Sequence, residues 1–353
     1  MSANAQKNRS GTFMVRKASL LQIMILLAFS VLSLSGGASP DSERIAELAE
    51  SGIERGGSYG LTAQIHAMIP GSILPLVVYI VGFFFMLLCV RNIRTPLHAC
   101  VMLLLIVPPS TLAIDNFQKD LLLAPFVTFA ALMLGRETRP VLAVLWILLA
   151  YSLYAAFFRS YYFIIAGFFV YFYFFRQSSN FVRFLIVASL PLILMLTPVE
   201  FLVALQEPRD TVNTIRFLRG GSEISRTMFW NPVEIEGPFS FLVNYVYAAL
   251  RLNLSVLFTL GLKELFLAAN VAIYFFCALW TYRHGRELEK IACDLFVGHV
   301  VVLMMFEPDL GSYARHLSCT LPFAAITICA YFEAHPWRIS LASNRPFHKM
   351  AGP

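Results

Sequence analysis

Apolar residues fall in blocks of roughly 16 to 24 positions, close to the ~20 residues with which a helix crosses a ~30 Å hydrocarbon core. Nearly all Asp, Glu, Lys and Arg lie between the blocks. The pattern predicts an all-α chain: a polytopic membrane helix bundle of about ten spans. They lie at 18–35, 70–90, 97–114, 121–135, 140–157, 160–175, 182–204, 264–282, 291–306 and 317–333. The whole chain, 1–353, is expected to form one membrane domain.

With the N-terminus in the cytoplasm, the spans alternate consistently. Inside loops then hold Arg91/Arg94, Arg136/Arg139, Arg176/Arg183 and Arg283/Arg286/Lys290. The inside tails hold Lys7, Arg9, Arg16 and Lys17 at one end and Arg338, Arg345 and Lys349 at the other. This is the positive-inside distribution. The first block follows a basic stretch and precedes Ser35-Gly36-Gly37-Ala38-Ser39-Pro40; it reads as a signal anchor in preference to a cleaved signal peptide. The outer loops are 36–69, 115–120, 205–263 and 307–316. Residues 43–54 read as a short amphipathic surface helix. The alternation requires that 239–262, which contains Asn244, Arg251 and Asn253, does not cross. It reads as an amphipathic or re-entrant outer segment. Pro70, Pro75, Pro108-Pro109, Pro191 and Pro198 predict bent or broken helix ends.

Composition sharpens this picture. Hydrophobic residues make up 58% and charged residues 14%, with mean hydropathy +0.69, against about 25% charged residues in soluble domains. The net charge of +6 lies largely in short loops and tails and is no signal for nucleic acid. The six cysteines lie in or beside apolar blocks without CxxC or Cys/His ligand spacing, which predicts neither a disulfide framework nor structural zinc.

Four outer segments carry candidate chemistry. They are Asp115-Asn116-Phe117-Gln118-Lys119-Asp120; Phe158-Arg159-Ser160-Tyr161-Tyr162; the loop 205–238 and its continuation, with Arg209, Asp210, Arg216, Arg219, Glu223, Arg226 and Arg251; and Glu307 to His316. A charged loop is ordinarily a solvated surface, and an arginine at a span end ordinarily snorkels. Glu307 to His316 is denser: two acids, an arginine, a histidine and a tyrosine between apolar helices. Arginines clamp phosphate and pyrophosphate, acids and histidine serve as bases, and aromatic rings stack on sugars. The combination fits glycosyl transfer from a lipid-linked phosphate or pyrophosphate donor. Catalytic candidates are His316, Glu307, Asp309 and Asp120, which compete for the base role. Substrate-binding candidates are Arg315, Arg159, Tyr313, Lys119, Arg216, Arg219, Arg251 and Tyr161.

Gly311-Ser312-Tyr313-Ala314-Arg315-His316, entering a final apolar helix, resembles the late loop of bacterial exopolysaccharide polymerases of the Wzy and EpsG-like type. Phe117-Gln118-Lys119-Asp120-Leu121 and Arg159-Ser160-Tyr161-Tyr162 resemble two further elements of those proteins. The resemblance implies an inner-membrane enzyme that polymerises undecaprenyl-pyrophosphate-linked oligosaccharide repeat units at the periplasmic face. It needs no cofactor or metal, and its partners are membrane lipid, a chain-length regulator and export proteins. A glycosyltransferase using a polyprenyl-phosphate sugar, a lipid-linked sugar transporter and a non-catalytic export partner are the alternatives.

Overall fold

The computed structural model describes residues 40–51, 58–91, 93, 96–114, 116–136, 139–219 and 226–335. The expected anchor at 18–35, Asp115, Glu223 and the C-terminal tail lie outside them. Among the described residues the chain is all-α, with fourteen helices. In chain order these are α1 Pro40–Ser51, α2 Ser58–Met68, α3 Leu74–Val90, α4 Pro96–Ile114, α5 Lys119–Arg136, α6 Pro140–Phe157 and α7 Tyr162–Gln177. Then follow α8 Asn180–Leu196, α9 Val199–Arg219, α10 Pro238–Asn253, α11 Leu262–His284, α12 Glu287–Phe306, α13 Leu310–Ser318 and α14 Leu321–Ala334.

The α6 and α11 segments contain stretches, Pro140–Phe157 and Glu264–His284, that are long and apolar enough to cross a membrane. Two bent pairs qualify if each is one broken span: α8 with α9, at 91°, and α13 with α14, at 75°. The α3 and α7 segments are shorter apolar helices. On α6 the outward residues Val141, Leu145, Leu149, Leu153 and Phe157 recur every fourth position, while Ala143, Ile147, Ala150, Tyr151 and Tyr154 are buried. A helix apolar on both faces suits an apolar solvent outside and a protein core inside.

Two expected loops are helical. The segment 205–238 begins as most of α9, which leaves α8 at Pro198. Thr197 is extended (φ −72°, ψ 127°), as a residue before proline favours. The segment 307–316 is a helix turn: Asp309 caps α13 by accepting from the Ser312 N–H at 3.0 Å. Residues 238–253 form an amphipathic helix of 16 residues.

The central element is α12. It packs antiparallel to α7 and touches α9, α10, α11, α13 and α14. The crossing with α7 is close at Gly298, where an added Cβ would come within 3.2 Å of the Phe169 backbone nitrogen. Small residues let helices approach in this way. At one end Arg176 ties α7 to α12 through Asp294 (2.9 Å) and Glu287 (2.6 Å). At the other the Tyr161 ring lies 4.5 Å from that of Phe306.

Proline in α4 is compensated across the bundle. Pro109 has no N–H for the carbonyl of Leu105, and the buried Tyr274 hydroxyl on α11 donates to that oxygen instead. Tyr274→Phe should therefore destabilise the fold by about 1–3 kcal/mol, read by thermal unfolding in detergent. In a Pro109→Ala background, where the backbone donor returns, the loss should shrink.

Candidate functional site

Three of the four outer segments converge at one end of the bundle. The N-terminus of α5 brings Lys119 and Asp120, the α6–α7 turn brings Arg159 and Tyr161, and the α12–α13 bend brings Glu307, Arg315 and His316. Asp120 is the hub, with 1% of its side chain exposed. Its Oδ1 lies 3.0 Å from Arg159 Nη1 and 3.7 Å from His316 Nε2, and its Oδ2 lies 3.3 Å from Arg315 Nε. Burial pushes the Asp120 carboxyl up, but Arg159 first, and then His316 when protonated, Arg315 and Lys119, outweigh it and hold the group well below the usual carboxylate range. Arg159, nearly buried, also donates to the Tyr161 hydroxyl at 2.9 Å.

Glu307 and His316 form a dyad. The Glu307 Oε1 accepts from His316 Nδ1, and Glu307 is 1% exposed. His316 Nε2, itself buried, turns toward Asp120 Oδ1 without a hydrogen-bond partner. Asp309 is committed elsewhere, to the α13 cap and to an ion pair with Arg216 from α9. Through that pair the fourth segment is tied to the start of α13.

Other candidates stand apart. Tyr313 is fully buried and donates to Asn253 Oδ1 at 2.9 Å, facing α10 rather than the acids. Arg251 lies over the rings of Phe229 and Phe258 and donates to the Met228 carbonyl. Arg219 ends α9, and its side chain lies outside the described set.

The sequence reading missed two residues of the site. Asp41, on α1, pairs with Arg315 Nη1 at 2.8 Å. Tyr59, on α2, donates to Asp41 Oδ1 at 2.9 Å, and its ring centroid lies 3.2 Å from Lys119 Nζ. Asp41 lies just ahead of the stretch 43–54 expected as a surface helix, in the first turn of the same helix α1, which it ties to the cluster. Burial would raise the Asp41 carboxyl, but Arg315, the Tyr59 hydroxyl and Lys119 hold it lowered. Burial first, and then Asp41, push the Tyr59 hydroxyl up to about 12.

Lys119 precedes its span. Burial first, and then the Arg159 cation, bring its ammonium down to about 7, against the pull of Asp41 and Asp120. An unfolded chain keeps that proton to about pH 10.4. Between about 7 and about 10 the unfolded state therefore binds more protons, and stability rises with pH over that window. Lys119→Met should flatten that rise. Unfolding temperatures at pH 6.5, 8 and 9.5 would show it, and an unchanged slope would exclude Lys119 as its source.

Chemically, the cluster offers one buried imidazole nitrogen without a hydrogen-bond partner, on a ring held through its other nitrogen by a carboxylate, with Arg315 about a quarter exposed beside it. The exposed guanidinium is covered by an internal carboxylate, so an incoming anion must compete with Asp41. In comparisons with known proteins, the chain matches no family model, no curated protein and no solved structure.

Proposed function

We propose that this chain is a polytopic inner-membrane glycosyltransferase that polymerises polyprenyl-pyrophosphate-linked glycan repeat units, with about ten spans when 18–35 and the shorter helices are included. The observation that carries the reading is the juxtaposition of the Glu307–His316 dyad with Arg315 at one end of an apolar bundle. The acceptor hydroxyl attacks the anomeric carbon of the donor. Its proton passes to His316 Nε2 as the new glycosidic bond forms, and Glu307 steadies the resulting imidazolium. The old bond from the anomeric carbon to the pyrophosphate oxygen breaks, and the electron pair leaves with the pyrophosphate. Arg315 meets that developing charge once Asp41 is displaced, and Lys119 lies beside it when protonated. Arg159, at 3.0 Å, remains as counterion of Asp120 when Arg315, at 3.3 Å, turns outward. The resemblance of 311–316 to the Wzy and EpsG-like polymerases points the same way.

Arg315→Ala in place of the native chain, with membrane abundance checked, tests the reading. Polymer output should fall roughly 10²-fold, with single lipid-linked repeat units accumulating. Incomplete repeat units would favour a transferase that builds the unit from a polyprenyl-phosphate sugar. An unchanged glycan ladder would sink the proposed site.

A further inference from the structure

Arg209, on α9, is fully buried. The partners that the structure gives its guanidinium are neutral. Nε donates to the Glu307 carbonyl at 3.0 Å, and Nη2 donates to the Met304 and Met305 carbonyls, each at 2.8 Å. Nη1 donates to Asn231 Oδ1 at 2.6 Å. The three carbonyls belong to the end of α12, where backbone oxygens lack helical donors. Asn231 is itself fixed, its N–H and its amide donating to the Asp210 carboxylate at 3.1 and 2.9 Å. The Phe229 ring lies against the guanidinium at 4.9 Å, and the Phe229 N–H donates to the Pro308 carbonyl at 3.2 Å. The bend from 304 to 308 is therefore clamped from one side.

A buried charge is a costly way to cap a helix. What this bend delivers is the Glu307 carboxylate, set on His316 Nδ1. We infer that Arg209 is a positioning residue of the site: it fixes the end of α12 so that Glu307 holds His316 with Nε2 free, without touching substrate itself. The inference deepens the reading of His316 as base, and its test needs no substrate.

The purified full chain is treated with diethyl pyrocarbonate at pH 6, and modification of His316 is followed by mass spectrometry. Only uncharged imidazole reacts. Releasing Glu307 takes away the acceptor that holds the ring at Nδ1 and lets the buried Nε2 reach the reagent, so Arg209→Met should raise the His316 rate roughly 3- to 10-fold, relative to the exposed His284. Glu307→Ala, which deletes that acceptor, should give a similar rise, and the double variant no further one, because Arg209 acts through Glu307. Arg209→Lys should fall between. Buried His299 reports folding: if it becomes reactive in Arg209→Met, Arg209→Lys carries the test, and a rise at His316 with His299 still protected is the expected result. An unchanged His316 rate in a folded variant, or a double variant that adds the two effects, would overturn the inference and leave Arg209 a structural cap. Loss of polymer synthesis plays no part in this outcome, so failure of the transferase reading is seen separately, in the glycan profile.

Discussion

Asp120→Asn should be the most damaging single substitution for stability, lowering it by about 3–5 kcal/mol. The carboxylate is 1% exposed and is the counterion of Arg159, itself 8% exposed, as well as a partner of Arg315 and His316. Removing one member of a buried ion pair leaves an uncompensated charge in a medium that solvates it poorly. Asparagine keeps the shape and deletes only the charge, so a cavity cannot account for the loss. Arg159→Gln in the same chain should recover part of it, because a neutral pair is tolerated where a lone guanidinium is not. Thermal unfolding in detergent and membrane abundance would measure both. Because the Asp120 carboxyl is held low in the fold, its contribution is fully present above about pH 4, the unfolded value, and is lost as pH falls toward the folded one. The variant should therefore lose more stability at pH 7 than at pH 3. Equal losses at both pH values would refute the electrostatic account.

His316→Gln should abolish most turnover with little loss of fold. Glutamine can still reach Glu307, so the bend is preserved, but no titrating nitrogen remains to take the acceptor's proton. General bases contribute about 10²- to 10⁴-fold, and that range is the expected drop in turnover on a lipid-linked substrate in nanodiscs. Glu307→Gln should cost less: the amide oxygen can still accept from Nδ1–H, while the charge that stabilises the imidazolium is gone. Asp309→Asn should leave turnover nearly intact, since that carboxylate caps α13 and pairs with Arg216, and asparagine also caps well. Full activity of His316→Gln would remove the base role from this histidine, and a larger loss for Asp309→Asn would move it to the acid.

The buried face of α9 sets Arg209 apart from the other arginines of the loop 205–238. Gln206, Arg209 and Asn213 are buried at helical spacing, with Arg216 next on the same face, while Ile215, Phe217 and Leu218 are exposed. The helix has its polar side inward. In water such a charge pattern marks a solvated surface. Beside lipid the same periodicity reverses its meaning, because apolar faces are stable outward and polar faces need internal partners. The 3.6-residue period of 206, 209, 213 and 216 was the available signal.

The features legible along the chain are those that depend on sequence neighbours. Long apolar blocks made the helices α3 to α7, prolines marked the α8–α9 break, and the short polar segments 117–120, 159–161 and 307–316 were marked as chemistry because charge between apolar helices is costly to keep without a purpose. Which charges share a site is set by the packing of the helices. Asp41 and Arg315 are far apart in the chain yet lie 2.8 Å apart in space. Their meeting depends on α1 and α2 folding over the end of α5, and no local pattern encodes that packing. The same holds for the four candidate bases. Glu307, Asp309, Asp120 and His316 are equal as residue types, and they separate only when partners are counted. Asp120 is neutralised by two arginines, Asp309 is spent on a helix cap, Glu307 orients, and His316 is left with a free nitrogen. Ion pairs and hydrogen bonds act over a few ångströms whatever the sequence separation, so the site's chemistry is fixed by packing, while its ingredients are fixed by the chain.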